Sequence, residues 1–332
     1  MTRFGIIGTG RISDWVIKDA LEDGRFSVSA VCSRDINKAQ DFIERHGLSG
    51  AKAYSSVAEM ASDPSVEAVY IGTPNQTHLE YSKICMEKGK HVLCEKPLAI
   101  SAEEGEEMVK IARENNVLLM EAMISTLNPN FKAARELIPN CGDIHTCHAV
   151  FCQYSTRYEA LKEGKIASSF KPGTGGAIRD IGIYTIYPVV ALFGLPERVL
   201  PSLTFFETDE GPTDIFGDVI LKYPGMDAVL SWSKVNDSSL PTEISGEGGT
   251  VLLDNLHDAK KAWFMPHAAP TAGRGPGSEK IPVSEGLDHG SYYYEIKEFI
   301  DLIEAGAKES KINTLKVSID TLKIIDKCLN SR

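Results

Sequence analysis

Residues 4–13, Phe4-Gly5-Ile6-Ile7-Gly8-Thr9-Gly10-Arg11-Ile12-Ser13, form a short apolar run that breaks into closely spaced glycines and then opens a helical pattern. No other stretch limits the fold as tightly. Gly8 lets the chain leave a strand in a tight turn, and Gly10 lets the backbone approach a ligand with no Cβ in the way. A helix opening at Arg11 offers N–H groups and the positive end of its dipole. A strand, turn and helix of this kind cradle a phosphate, so the expected ligand is the pyrophosphate of a dinucleotide. The spacing departs from G-x-G-x-x-G at Ser13, where any small residue still lets helix and strand pack closely.

A second strand, residues 27–32, ends about 20 residues beyond the turn in Ser33-Arg34-Asp35. The ribose of the dinucleotide is read at that tip. A carboxylate there accepts hydrogen bonds from the 2'-hydroxyl of NAD, whereas a hydroxyl beside an arginine suits a 2'-phosphate, with the guanidinium stacking on adenine. Ser33 and Arg34 therefore favour NADP(H). Asp35 has two readings, the N-cap of the next helix and a ribose ligand, and the second keeps NAD open.

Strands alternate with helical stretches as far as residue 122: the apolar runs 4–8, 28–32, 68–72, 91–94 and 117–120 are separated by helix-period segments. This βαβ grammar implies a parallel sheet covered on both faces, with ligands at the carboxyl ends of its strands. The grammar then changes. Runs 144–154, 199–208, 215–223, 228–235 and 250–253 follow one another with few helices between them, as in a mainly antiparallel sheet, and helices over 292–305 and 314–329 close the chain. The Pro-, Gly- and Ala-rich stretch 267–277 reads as a loop. The fold class is α/β, with two domains, 1–122 and 123–332. A length of 332 residues, 42% hydrophobic and 24% charged, accommodates both cores.

Charge and cysteines narrow the partners. A net charge of -11 with no basic block argues against nucleic acid or an anionic membrane surface. Seven cysteines with no C-x-x-C pair, and no charged-then-apolar leader, fit a reducing cytoplasm. Cys147, His148 and Cys152 have the residue types of a metal site, but a period-two strand scatters them over two faces, and no metal is expected.

Two loops at the carboxyl ends of the first sheet are unusually polar: Gly72-Thr73-Pro74-Asn75-Gln76-Thr77-His78 and, after Cys94, Glu95-Lys96-Pro97. Lys96 at a strand end reaches a nicotinamide or a substrate hydroxyl in one reading and forms a surface ion pair with Glu95 in the other. Pro97 fixes the backbone, in a cis or a trans bond.

Together, Gly8-Thr9-Gly10, the Gly72-Thr73-Pro74-Asn75 loop with His78, and residues 89–99 around Glu95-Lys96-Pro97 resemble the glucose-fructose oxidoreductase and inositol dehydrogenase family (Gfo/Idh/MocA). The match is dense over residues 1–125 and thinner beyond, where Gly175-Gly176-Ala177-Ile178-Arg179-Asp180-Ile181-Gly182-Ile183-Tyr184 anchors it. The resemblance implies a Rossmann domain followed by an α+β domain with a large open sheet, whose free face commonly supports homodimers or homotetramers. It assigns Gly8, Thr9, Gly10, Arg11 and Ile12 to the pyrophosphate, and Ser33 and Arg34 to the adenosine end. Thr73, Pro74, Asn75 and His78 would border the nicotinamide ribose. Glu95, Lys96 and Glu121 would approach the nicotinamide, with Lys96 contacting the substrate oxygen.

Many members of that family place Asp and His four residues apart on one helix, and this chain has Asp180 and Tyr184. One helical turn separates the two, so both point to one side. A phenol replaces imidazole as proton shuttle if a nearby ammonium stabilises the phenolate, and Lys96 is the candidate. Asp180 would orient substrate hydroxyls. A tyrosine here is similar to the subgroup of glucose-fructose oxidoreductase, xylose dehydrogenases and trans-dihydrodiol dehydrogenases, which prefers NADP. Residues 121–127 depart from that subgroup's pattern, leaving the substrate pocket open. Phe170, Lys171 and Arg157 are candidate contributors. Tyr292-Tyr293-Tyr294 reads either as a sugar-stacking surface or as residues split between core and interface. The expected activity is NADP(H)-dependent interconversion of a secondary alcohol and a carbonyl on a sugar, polyol or cyclic diol. The alternatives are an NAD-linked inositol-type enzyme and a redox sensor without turnover.

Overall fold

In the computed structural model, residues 1–267 and 279–331 are described, and the loop expected over 267–277 lies, beyond His267, outside the described residues. The chain forms two compact units. The first comprises Met1–Ile124 and His289–Leu322, and the second Ser125–Asp288 and Lys323–Arg332. A single cut after residue 122 does not describe the return of residues 289–322 to the first unit.

The first unit is a six-stranded parallel sheet. Its strands are β1 (Thr2–Ile7), β2 (Phe26–Cys32), β3 (Lys52–Tyr54), β4 (Ala68–Ile71), β5 (His91–Glu95) and β6 (Leu119–Ala122), in the order β3-β2-β1-β4-β5-β6. Between them run α1 (Arg11–Ala20), α2 (Ile36–Arg45), α3 (Val57–Ser62), α4 (His78–Glu87) and α5 (Ala102–Glu114). Strand β1 pairs in parallel with both β2 and β4, so strand order reverses beside it. A crevice at such a reversal is where doubly wound sheets take ligands. Strands buried on both faces read as nearly continuous apolar runs, which is why β1, β2, β4, β5 and β6 were visible in the sequence. The three-residue β3, Lys-Ala-Tyr, offered no such run.

The second unit carries α6 (Ile124–Leu127, entered from the first unit), α7 (Pro129–Leu137), α8 (Thr156–Lys162) and α9 (Ile183–Phe193). Its eight strands are β7 (Ile144–Cys152), β8 (Arg198–Thr208), β9 (Gly211–Tyr223), β10 (Met226–Ser233), β11 (Thr242–Gly246), β12 (Gly249–Leu253), β13 (Lys261–Pro266) and β14 (Ile281–Glu285). They run in the order β14-β13-β12-β11-β7-β10-β9-β8, antiparallel throughout except for β7 beside β10. The expected change of grammar is therefore present. Strands β11, β13 and β14 were not read from the sequence: β11 and β14 are short and broken by polar residues or by Pro282, and β13 carries only the four-residue apolar run 262–265. Helices α10 (Tyr293–Glu304) and α11 (Leu315–Leu329) end the chain. Along β7, Cys147 is buried and His148 exposed, the alternation expected of a strand. All seven cysteines are free thiols. Among the described residues no helix is long and apolar enough to cross a membrane.

Candidate active site: a nucleotide cradle and a tyrosine cluster

The cradle is built where β1 ends. Gly8 has φ +98°, and a Cβ on it would lie 2.6 Å from the carbonyl oxygen of Gly72, so only glycine fits the turn. At Gly10 a Cβ would meet nothing within 4 Å, so its lack of a side chain leaves space above the turn. Gly10 is the N-cap of α1 and supplies no side-chain cap. The N–H groups of the first turn thus face a space open to an anion, as a pyrophosphate site requires. Ser13, in the third motif position, is fully buried, and its Oγ lies 2.7 Å from where a Cβ on Gly72 would sit. A dinucleotide fits these residues, with Arg11 exposed and Thr9 and Ile12 half-buried around the turn.

At the tip of β2, Asp35 is occupied. Its carboxylate accepts the backbone N–H of Asn37 at 3.0 Å and caps α2. Ser33 is half-buried and Arg34 exposed, and the Arg34 guanidinium acts electrostatically on Tyr81.

The turn Glu95-Lys96-Pro97-Leu98 is gripped from three sides. Tyr70 of β4 donates its hydroxyl to Glu95 Oε1 at 2.7 Å. His78, fully buried at the start of α4, sets Nδ1 2.9 Å from the Pro97 carbonyl and Nε2 3.0 Å from the Thr73 carbonyl, tying this turn to the Gly72–Asn75 loop. Glu121 of β6 accepts the Leu98 N–H at 2.8 Å. Burial pushes the Glu95 carboxyl up, pushes the Glu121 carboxyl up to about 7, and lowers the His78 imidazole. Lys96 is half-buried at the head of this turn, and the Lys96–Pro97 bond is cis. Thr73 and Asn75 are half-buried and Pro74 exposed beside it. Glu95, His78 and Glu121 thus hold the segment bearing Lys96. Tyr70, read in the sequence only as part of the strand run 68–72, holds it with them.

In the second unit, Asp180 and Tyr184 do not share one α-helix. Asp180 lies in a π-turn, Ile178–Gly182, and Tyr184 in the first turn of α9. Single π-turns of this kind recur at functional sites. Two features set this one. Asp214 of β9, fully buried, accepts the Ile178 N–H at 2.6 Å, and its carboxyl is raised by burial to about 6. Gly182 presses on Trp232 of β10, where a Cβ would lie 2.8 Å from the indole.

Asp180 forms an ion pair with Lys234, Oδ2 to Nζ 2.6 Å. Lys234 is buried just beyond β10, donates to the Ser169 carbonyl at 2.9 Å and lies 3.8 Å above the centre of the Phe170 ring. Tyr184 packs edge-on against His257, ring centroids 4.3 Å apart, and His257 stacks on Phe151 at 4.8 Å. The loop bearing His257 is pinned by Ser125, whose hydroxyl donates to the His257 carbonyl at 2.9 Å, and by Asn128, which donates to Asp258 and Ala259. A cavity of about 360 Å³ opens beside this pair, lined by Phe151, Gln153, Asp237, Asn255, His257 and Asp258 among others.

Sequence reasoning missed Lys234 and His257. A signal for Lys234 was present: Ala228, Leu230 and Trp232 alternate inward along β10, and the same period carries Lys234 to the buried face. His257 sits in the connection from β12 to β13 and has no local signal. Phe170 is fully buried beneath Lys234, so it supports the ion pair and forms no pocket wall. Lys171 is exposed, and Arg157 bonds Ser169 Oγ at 3.2 Å. Tyr292, Tyr293 and Tyr294 are half-buried in the first unit, where Tyr293 stacks on His289 and the Tyr292 N–H bonds Asp19.

Residues 2–123 match the model of an oxidoreductase family with an NAD-binding Rossmann fold, and residues 131–252 match the GFO/IDH/MocA C-terminal domain. The chain is 39% identical to scyllo-inositol 2-dehydrogenase (NADP(+)) IolU of Bacillus subtilis (strain 168) over 98% of its own length and 95% of that enzyme's. It is 31% identical to trans-1,2-dihydrobenzene-1,2-diol dehydrogenase of Homo sapiens, covering 95% and 92%. Levoglucosan dehydrogenase, solved with NADH and levoglucosan, shares the fold with a TM-score of 0.85 at 20% identity over 99% and 96% of the two chains. The chain belongs to the GFO/IDH/MocA family of oxidoreductases.

Proposed function

We propose that the protein is an NADP(H)-dependent oxidoreductase that interconverts a secondary alcohol and a carbonyl on a sugar, polyol or cyclic diol. The observation that carries this reading is in the second unit: a phenol, Tyr184, touches an imidazole that also lines a polar-walled cavity, with a carboxylate held by a buried ammonium one turn away. Amide and carboxylate groups beside aromatic rings suit a compact, hydroxyl-rich ligand. The similarity to IolU and to the dihydrodiol dehydrogenase points to the same substrate class.

The nicotinamide, when bound, supplies or accepts the hydride. The protein's residues do the rest. Gly8, Thr9, Gly10, Arg11 and Ile12 take the pyrophosphate, and Ser33 and Arg34 take the 2'-phosphate. Thr73, Pro74 and Asn75 border the ribose, and His78, Glu95 and Glu121 position the turn that presents Lys96. Lys96 holds the substrate oxygen with its ammonium. Tyr184 donates or removes the hydroxyl proton at its phenol oxygen, and Asp180 orients a neighbouring hydroxyl. A cofactor sensor without turnover needs no proton shuttle, whereas Lys96, Asp180 and Tyr184 are all present.

Pairing of two copies is part of this reading. Leu200, Ile220 and Val229 are cross-strand neighbours on one face of the eight-stranded sheet, and Leu200 and Phe216 are exposed. The free thiols fit a reducing cytoplasm. The test of the activity is Lys96→Met assayed with NADP and a panel of inositols, aldoses and dihydrodiols. Turnover is expected to vanish while NADPH binding stays within about threefold. Equal loss of both, or an unchanged rate, overturns the role of Lys96.

A further inference from the structure

The structure assigns to Lys234 the part of a positioning residue that keeps Asp180 ionised and fixed in direction for substrate hydroxyls. This rests on the reading of Asp180 as a substrate-binding group. An ammonium is rarely buried unless it is paired. Here the side chain is 3% exposed, against 35% for Asp180, so the cation is sunk in the fold while its carboxylate reaches outward. Three contacts fix the ammonium: Asp180 Oδ2 at 2.6 Å, the Ser169 carbonyl at 2.9 Å and the Phe170 ring at 3.8 Å. Its backbone is fixed as well, the Lys234 N–H donating to Ile215 and its carbonyl accepting from Ser155. Asp180, the adjacent Ser169 and Phe170, Ile215 and Ser155 belong to four segments, which together hold Nζ against Asp180.

Arg179, beside Asp180 in the π-turn, and Lys234 both act on Asp214 of β9, whose Oδ2 is bonded to the Ile178 N–H. Lys234 is in contact with Asp180. Removing it withdraws the charge that favours the carboxylate and frees its rotation, so protonation shifts to higher pH and hydroxyls are held less well.

The experiment uses Lys234→Met, Lys234→Gln and Lys234→Arg with Asp180→Asn as reference. The Gln side chain, one atom shorter, keeps an uncharged N–H donor on the Ser169 side, so a second neutral variant is at hand if the other fails to fold. The kcat/KM of each variant is followed against pH with scyllo-inositol as probe, and the Asp180 carboxyl is titrated by 13C NMR in the NADP complex. In either neutral variant the Asp180 titration and the acid limb of kcat/KM are expected to move up by about one pH unit or more. KM should rise about tenfold or more, with kcat changed less, and NADPH affinity unchanged. Arg should restore the acid limb. An unmoved Asp180 titration in a folded neutral variant, or a uniform loss of kcat at every pH that Arg does not rescue, overturns the proposal. Should Asp180→Asn itself keep kcat/KM within twofold, the substrate role of Asp180 falls, while the NMR titration still decides the pairing.

Discussion

The carboxylate of Asp35 accepts the Asn37 N–H at 3.0 Å, so this residue starts a helix at the strand tip where a ribose is read. In the function proposed above, recognition at the tip of β2 falls to Ser33 and Arg34. Arg34→Ala should weaken NADPH about 10- to 100-fold, the worth of a charge-assisted phosphate contact, and change NADH binding less than about threefold. Nicotinamide fluorescence titrations with both cofactors check this. Equal losses would remove Arg34 from the 2'-phosphate site.

Gly8 and Gly10 lie two residues apart and should fail differently. Gly8→Ala forces a left-handed φ and a Cβ 2.6 Å from Gly72 O, so its Tm should fall by roughly 5 °C or more. Gly10→Ala meets no protein atom, so its Tm should stay within about 2 °C while NADPH affinity drops about tenfold or more. Calorimetry of the apoprotein with parallel NADPH titration separates the two.

Burial lifts the Glu121 carboxyl to about 7, so the folded state keeps a proton that the unfolded chain releases near pH 4.5. Stability from this group is complete below that value and is lost as pH climbs through 7. Glu121→Gln keeps an oxygen for the Leu98 N–H and has nothing to ionise. Relative to the parent it should gain up to about 3 kcal/mol between pH 5 and pH 8, read from denaturant melts at both values. A constant difference across that range would place the Glu121 titration elsewhere.

Tyr184 packs by its ring against His257 and Phe151, contacts that phenylalanine preserves. Tyr184→Phe should therefore fold and bind NADPH normally while kcat falls about 10²- to 10⁴-fold, the usual worth of a placed general acid. A loss below tenfold would return the proton to another group.

What the sequence displayed depended on how locally each feature is encoded. The turn at Gly8, the strand ends carrying Lys96 and Glu121, and the Asp180–Tyr184 spacing are set within a few residues, and all were legible. The π-turn was not, and the carboxylate that meets its first N–H, Asp214, lies 36 residues from Ile178. Lys234 was half legible: strand period gave its burial, but its partner lies 54 positions earlier and only the folded sheet joins them. His257 comes from a polar connection whose shape is fixed by Ser125 and Asn128, far upstream.

The closing segment of the first unit sets an order of events during synthesis. On α5, Gly105 sits where a Cβ would lie 2.7 Å from Ile319 and 2.8 Å from Leu322, and Asn313 donates to the carbonyl of Met123 at 3.0 Å. These partners belong to residues 289–322, which leave the ribosome after the whole intervening unit. At roughly 5–20 residues per second the nascent sheet waits on the order of 10–30 s with the α5 surface around Gly105 uncovered. Met108, Ile111 and Ala112 belong to the same core as Leu315, Ile319 and Leu322, so that interval is when a chaperone has apolar surface to hold.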